Sequence, residues 1–540
     1  VKNPFDAVIS FFAPKAGLAR ARARHAMRIY DGASAGRRAT AWRARHTSAN
    51  AELSQALRAL RDRSRDLVRN TPHAPRMLDV MVTNIVGTGL TPVCKTGDKD
   101  TDKKVMALWN QWQKNADLEG RLTFNGIQAL AVRSMIESGD VALRLMDQRV
   151  NRKRGLVPFK VQLLESDFID QFREGIYSLA EGAPENTKRS RMGVGLGEYG
   201  EPTGLWLLPW HPGEITTYNL RPGISEFVPK DEVLHLFRML RPGQVRGVPW
   251  FAPVLTTARE LSDFLDAVNM KARVEACFAG FITNSDELDP LVDSTPDEVT
   301  HEQVTMLEPG MLKELKAGQD IKFAQPTSNM QVEPMFLFNL MAYSAGIGCT
   351  YDQATGDMRQ ANYSSLRAGK IDFRRTIEHI QHVDLIPKLC DPVWDRFIDR
   401  AILAGMLKDR DEGYPVNWVT PSWEPINPRL DLLAEIQSVR AGHTSPQAFI
   451  ASWGHDWRDV IDQWAEFNAY CDEKGVVLDL DARLMTQAGI RQQAADTGAA
   501  PKQTAKSNGK ANGNGTADPG DEVVDADGNP IDPDEQQAMH

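Results

Sequence analysis

The stretch GIGCTYDQATGDMRQANYSSLRAG, Gly346 to Gly369, decides how this chain is built. Its middle, residues 350–364, is polar and reads as a loop between two helical patterns. The first pattern covers about 334–346. The second runs from Leu366 to about Leu403, with Phe373, Ile377, Ile380, Val383, Leu389, Val393 and Phe397 recurring at helical spacing. Pro387 and Pro392 are expected to kink or split that second helix, because proline lacks an N–H and its ring strikes the preceding turn. Gly356 lets the loop bend. Ser364 or Ser365 is expected to cap the helix that follows.

Upstream lies a long amphipathic helix. Phe251, Val254, Leu255, Ala258, Leu261, Leu265, Val268 and Ala272 fall three or four apart, mostly on one face. Between the two helices, residues 285–330 are polar, with short strands expected in GMLKELKAGQDIKFAQP. Residues 120–240 read as mixed α+β. A helix spans Phe124 to Glu137 and stops at Ser138-Gly139. Strands are expected in DVALRLM, VPFKVQLLE, GLWLLPW and DEVLHLF, the first two joined by the basic turn RVNRKRG. A further helix, Glu52 to Arg69, is expected to end at Pro72 and Pro75. A smaller helical unit occupies about 428–490. Beyond Arg491 the chain has almost no large apolar residue and is expected to be disordered.

Bulk properties narrow the function classes. The chain has 540 residues, 42% apolar and 25% charged, which is ordinary globular composition for three to four domains. Its formal charge is −9, so it is not a simple basic coat for DNA. The basic residues are concentrated: 15 Lys/Arg lie between Lys15 and Arg76, against four acids. That arm has two readings, contact with phosphates or docking on an acidic protein surface. Five sparse cysteines without a C-x-x-C pair exclude a zinc ribbon or disulfide framework and fit a reducing cytoplasm. Neither the N-terminal apolar stretch nor Met335–Cys349 is long enough for a signal core or a membrane span. A soluble cytoplasmic product is expected. Val1 fits a GTG start codon read literally, which N-terminal sequencing would test.

Apparent motifs for chemistry are weak. Gly195, Gly197 and Gly200 spell G-x-G-x-x-G, but Pro202 opposes the helix a dinucleotide site needs, so a plain turn is expected. Glu378, His379, His382 and Asp384 lie close together on a helix, where positions 379 and 382 share a face. The choice is a metal-dependent nuclease site or a polar helix face. No ATP-binding G-x-x-x-x-G-K-[ST] and no G-x-S-x-G elbow occur. Six tryptophans from Trp394 to Trp464 read as core and subunit contacts rather than a base-stacking platform.

Four segments, in order, resemble the lambda-type family of bacteriophage portal proteins. They are LRALRDRSRDLVRNTPHAPRMLDVMVTNIVGTGLTP, RPGQVRGVPWFAPVL, the 346–369 stretch, and DPVWDRFI followed by WVTPSWEPINPRLDLLAEIQSVRAGHTSPQAFIASWGHDW. The resemblance covers about residues 40–470. It implies an α+β, predominantly helical portal fold with wing, stem, clip and crown regions, forming a ring of usually twelve chains. The regions implied are a basic arm (1–45), a wing (46–250), a first stem helix (251–278), a clip (279–330) and a second stem helix (331–349). A tunnel loop (350–364), a wing helix with return strands (365–424), a crown (425–490) and an acidic tail (491–540) complete them. The ring sits at one capsid vertex of the virion, after assembly in the host cytoplasm. Implied partners are other copies of itself, double-stranded DNA, the terminase large subunit, head–tail adaptors, and capsid and scaffolding proteins. No cofactor, membrane or catalytic role is implied. Twelve chains of −9 carry 12 × −9 = −108, a wall that lets DNA slide. Met358, Arg359, Gln360 and Asn362 are the candidates for loop contact with DNA. Another head–tail connector or minor capsid protein, a nuclease, and a basic-arm nucleic-acid binder are the alternatives.

Overall fold

A computed structural model describes residues 13–16, 46–150, 156–176, 186–214, 224–277, 281–284, 319–322, 332–359, 362–423, 427–454 and 457–478. Most of residues 1–45, most of 279–330 and all of the 491–540 tail therefore lie outside the described residues. The chain divides into two units, 1–460 and 461–540. No helix among the described residues is long and apolar enough to cross a membrane.

The first unit begins with helix α1, Ala49–Asn70. The Ser48 side chain caps it by accepting from the Ala51 N–H. Leu53, Leu57, Leu67 and Val68 form its buried face. Thr71 closes the helix, but Pro75 does not act as a terminator. Pro72 is instead the N-cap of a second helix, α2 (His73–Ile85), and Pro75 sits in its first turn, where a missing N–H costs nothing. Strand β1 (Thr91–Cys94) leads to α3 (Lys99–Trp112), and α4 (Phe124–Ser138) follows. Trp109 and Trp112 of α3 are fully buried and organise the main core.

Two sheets come next. Strands β2 (Asp140–Asp147) and β3 (Phe159–Glu165) pair antiparallel, with Leu143 opposite Leu163. Strands β4 (Gly175–Ile176), β5 (Arg189–Arg191), β6 (Val194–Leu196), β7 (Pro202–Leu207) and β8 (Glu226–Pro229) form a five-stranded antiparallel meander. The glycine triplet 195, 197 and 200 lies in the β6–β7 hairpin, and Pro202 opens a strand there. Strand β9 (Val233–Phe237) returns to the first sheet, whose order is β3-β2-β9.

The segment 241–250 clamps the two sheets through one buried ionic network. Arg246 and Asp140 are both fully buried, with Nε 2.5 Å from Oδ2. The Arg246 guanidinium also donates to the Met192 carbonyl at 2.9 Å and to Ser166 Oγ at 2.9 Å. Asp140 accepts from Ser166 Oγ and the Gly247 N–H, and meets His235 Nε2 at 3.1 Å. Arg61 of α1 reaches Ser166 Oγ from the other side. Burial raises the cost of the Asp140 charge, yet Arg246 and His235 hold its pKa well below the usual carboxylate range.

Gly247 passes directly over Gly139, which has φ +95°. A Cβ at position 247 would lie 1.9 Å from the Gly139 carbonyl oxygen. Gly247→Ala is expected to destabilise the chain by at least about 1–3 kcal/mol through overpacking, read as a lower urea midpoint with an unchanged slope.

Helix α5 (Leu255–Cys277), strand β10 (Phe281–Asn284), strand β11 (Gln319–Lys322) and helix α6 (Val332–Ile347) follow. β10 and β11 pair antiparallel. The apolar stripe of α5 is buried at Leu255, Ala258 and Leu261, half-buried at Leu265 and Val268, and exposed at Ala272. A short helix, α7 (Tyr351–Thr355), precedes α8 (Tyr363–Ile380). The helical pattern of 366–403 then continues through a ten-residue π segment, Gln381–Cys390, into α9 (Asp391–Leu403). The expected prolines neither break nor split it. Pro387 falls inside the π segment, whose wider turn accommodates a residue without an N–H, and Pro392 sits at the start of α9. Gln381 donates to the Ile85 carbonyl at 2.7 Å, and Lys388 to the Phe237 carbonyl at 2.9 Å, pinning the segment to α2 and β9.

Trp394 and Phe397 of α9 complete the aromatic core, with ring centroids 5.2 and 5.0 Å from Trp109. Strand β12 (Val416–Val419) pairs with β1, and Trp418 packs partly against the same core. Helices α10 (Pro428–Arg440), α11 (Pro446–Ser452) and α12 (Trp457–Lys474) bury no residue fully. In the second unit, described through residue 478, Trp464 and Phe467 lie edge to face on α12 with Trp464 exposed.

Candidate functional site

The 350–364 segment is more ordered than a polar loop. The Thr350 N–H donates to Gln353 Oε1 at 3.3 Å at the start of α7, satisfying one otherwise orphaned N–H group. Gly356 ends that helix in the left-handed conformation, φ +74°, which suits a residue without a Cβ. Asn362, rather than Ser364 or Ser365, caps α8: its Oδ1 accepts from the Ser365 N–H at 2.8 Å. Asn and Ser both compete for N-caps, and the residue placed in extended backbone, φ −108° and ψ 159°, takes the role.

Asp357 is the hub of the turn. Its carboxylate accepts from Tyr351 Oη at 3.1 Å, from the Arg359 backbone N–H at 3.1 Å, and from Arg359 Nε and Nη2 at 3.0 and 2.9 Å. Those bonds hold its pKa below the usual carboxylate range and raise that of Arg359. Arg359 Nη1 also reaches Glu333 Oε1 on α6 at 3.2 Å, tying the turn to the helix before it. Both side chains of this last pair are largely exposed. Exposed pairs of this kind are weak and screened by solvent, so Arg359 is oriented without being locked.

Of the four expected contact residues, Met358 is exposed, Arg359 is exposed and paired to two carboxylates, and Asn362 is exposed with its side chain capping α8. Gln360 lies outside the described residues. Sequence reading missed Asp357, although an aspartate two residues before Arg359 is a recognisable Asx-turn signal.

Glu378, His379, His382 and Asp384 do not converge. The pitch changes at Gln381, so α-helical spacing does not carry from His379 to His382. Asp384 is buried against Lys388 Nζ at 2.5 Å, and Glu378 accepts from Trp423 Nε1 at 3.1 Å. Among the described residues, the acid–histidine group close enough to share an ion is Glu165, Asp167 and His211. Arg65 Nη2 already lies 2.8 and 2.6 Å from the two carboxylates, supplying the positive charge that a cation would bring.

The profile of one family, phage portal protein, lambda family, matches residues 35–381. A probable portal protein of Halomonas phage phiHAP-1 is 26% identical over 427 residues, covering 75% of this chain and 79% of that protein. Among solved structures, a chain from the virion of a native gene transfer agent particle has 15% identity and a TM-score of 0.41, over 72% of this chain and 93% of that one. An HK97 family phage portal protein from Corynebacterium diphtheriae has 10% identity and a TM-score of 0.28, over 68% and 96%. The two structural likenesses are too distant to carry the assignment, which rests on the sequence match. This is a protein of the phage portal class, a structural rather than an enzymatic family. The chain belongs to the lambda family of phage portal proteins.

Proposed function

We propose that this chain forms the ring channel at one capsid vertex through which duplex DNA is packaged and later ejected. The single observation carrying the ring is the surface of α6. That helix is apolar on every side, yet Phe338 is 72%, Met335 55% and Met341 47% exposed in the lone chain. A helix that is apolar all round belongs in an interior; α6 buries Leu340, Tyr343 and Ile347 in the chain's own core but leaves Met335, Phe338 and Met341 uncovered. Neighbouring copies would cover them. In this reading α5 and α6 are the stem helices, the β10–β11 region between them the clip, 350–364 the tunnel loop, residues 46–250 and 365–424 the wing, and 425–490 the crown. The clip faces the terminase large subunit and then the head–tail adaptors, and the ring nucleates assembly with capsid and scaffolding proteins. The expected copy number is twelve.

Negative-stain electron microscopy of the purified chain tests this. Rings with a hole wide enough for duplex DNA support the proposal. Monomers alone at every salt concentration, even with scaffold added, would overturn it. Replacing the described and neighbouring loop side chains Asp357, Met358, Arg359, Gln360 and Asn362 together by alanine is expected to leave rings intact. Packaged or retained DNA is expected to fall by roughly tenfold or more, because sequence-independent grip comes from such polar side chains. Normal packaging by that variant would remove the loop from the mechanism. The purified protein is also expected to leave duplex DNA uncut in magnesium; sustained cleavage would revive the nuclease alternative.

A further inference from the structure

A groove of about 480 Å³ opens between α6, α7 and α8. Leu337 and Met341 of α6 and Leu366 of α8 give it apolar walls, and Gly369 of α8 lines it beside Thr350. Its charged residues are Glu333, Asp352, Asp357, Arg359 and Lys370, a sum of 2 − 3 = −1. Three of them already pair with one another, Arg359 with Asp357 and with Glu333. The groove therefore suits an uncharged, apolar occupant.

Gly369 stands in the interior of α8, where glycine is a poor helix former. Among the described residues nothing asks for it. Its backbone is not in the left-handed region, and a Cβ there would meet only Thr350 Cγ2, at 3.6 Å, an ordinary contact. What the glycine leaves is open space in the groove.

The same stretch of α6 supplies a side chain for such a space. Phe338 and Met335 are exposed on the adjoining flank, about 110° around the helix from Leu337 and Met341. Phe338 does not line the groove of its own chain. In a closed ring each copy is carried onto the next by rotation about one axis, so a patch meets only patches at its own height. Phe338 lies within about 4.5 Å of Leu337 and Met341 along α6, so the groove of the next copy stands at its height however the helix is tilted.

We propose that Phe338 of one copy seats in the groove of the next, against Leu337, Met341 and Leu366 and over Gly369. The contact is head to tail: one flank of α6 gives the knob and the other receives it, the unlike pairing that closes into a ring. This docking rests on the ring reading above and adds which surfaces meet. Thr350, Asp357 and Arg359 line the same groove, so the contact ties α6 of one copy to the 350–364 turn of its neighbour.

Photocrosslinking of the full chain carrying Phe338→p-benzoylphenylalanine tests the contact, with isotopically light and heavy chains mixed before assembly. Expected are crosslinks between light and heavy chains into 337–341, 350–352 or 365–370. The yield should fall several-fold when Gly369→Leu fills the groove. Crosslinks elsewhere, none at all, crosslinks only within one chain, or a yield indifferent to Gly369→Leu would overturn the docking. Electron microscopy decides independently. Gly369→Leu is expected to lower ring yield by roughly tenfold or more, because added methylenes overfill the space that Phe338 needs. Gly369→Ala, whose Cβ makes only an ordinary contact, is expected to keep rings. Leucine favours a helix, so circular dichroism of that variant should match the unmodified chain. Should it fail to fold, the crosslink positions alone decide. Rings at normal yield from Gly369→Leu refute the docking and leave the ring reading standing; no rings from the unmodified chain remove both.

Discussion

Asp140→Ala is expected to lower the stability of the first unit by about 3–5 kcal/mol, because it strands the Arg246 charge in the interior. Arg246 has no exposed surface, and its other partners, the Met192 carbonyl and Ser166, are neutral. Ser166 Oγ, His235 and the Gly247 N–H lose their common acceptor in the same step. Removing both charges, with Asp140→Ala combined with Arg246→Met, is expected to cost less than the sum of the two single changes. Urea titrations of the four proteins give that coupling directly; additive losses would mean that the two charges do not depend on each other. Acid acts on the same network. Burial lowers the pKa of His235 below 6.5 despite the pull of Asp140, with Arg246 and Lys388 adding to the depression. The unfolded chain therefore binds the proton first, and stability declines as pH falls below about 6.5. The depressed Asp140 carboxyl contributes stability that is present above about 3.8 and lost as pH falls further. His235→Gln is expected to lessen the first decline and leave the second; His73, whose pKa burial also lowers, keeps a part of the first. A urea midpoint that is flat between pH 7 and 5 in the unmodified protein would contradict this.

Phe338→Asp together with Met335→Asp is expected to abolish rings while leaving the single chain folded. Both side chains face solvent in the lone chain, so carboxylates there disturb none of its own packing. In a ring, each would enter an interface between stem helices. A buried phenylalanine contributes about 1.5–3 kcal/mol relative to exposure, and an unpaired charge in its place adds a larger desolvation cost. The loss recurs at every subunit contact, so assembly should fail outright rather than weaken. Circular dichroism and thermal unfolding of the monomer should match the unmodified chain, while electron microscopy shows no rings. Rings at normal yield would mean that this face of α6 is not where the copies meet.

Local pattern was enough for several elements because each is stabilised by its own neighbours in sequence. The 3.6-residue spacing of Leu53, Leu57 and Leu67 marks α1, and Ser138-Gly139 marks the end of α4. Alternation in 140–147 and 159–165 marks β2 and β3. Pro202 after the glycine triplet excludes a phosphate-binding helix, and a hairpin stands there. Three of the four motif segments fall within residues 35–381, the stretch that the lambda portal family matches. At the loop, sequence narrowed attention to 357–362 but could not say that Arg359 bridges Asp357 and Glu333, since Glu333 lies 26 residues away. The α8 cap went to Asn362 because three cap-competent residues stand within four positions, and only the backbone path chooses among them.

What the sequence by itself determined is the helical and strand grammar, the charge distribution and the family. Those depend on composition and short-range period. Only the tertiary structure decided that Asp140, Ser166, Arg246 and Arg61 share one buried network, that Trp109 and Trp112 rather than the later tryptophans centre the core, and that the proline-bearing helix runs through as a π segment. The physical reason is the same in each case. The partners lie from tens to nearly three hundred residues apart, and charge pairing, ring packing and helix pitch are set by what the fold brings within a few ångströms.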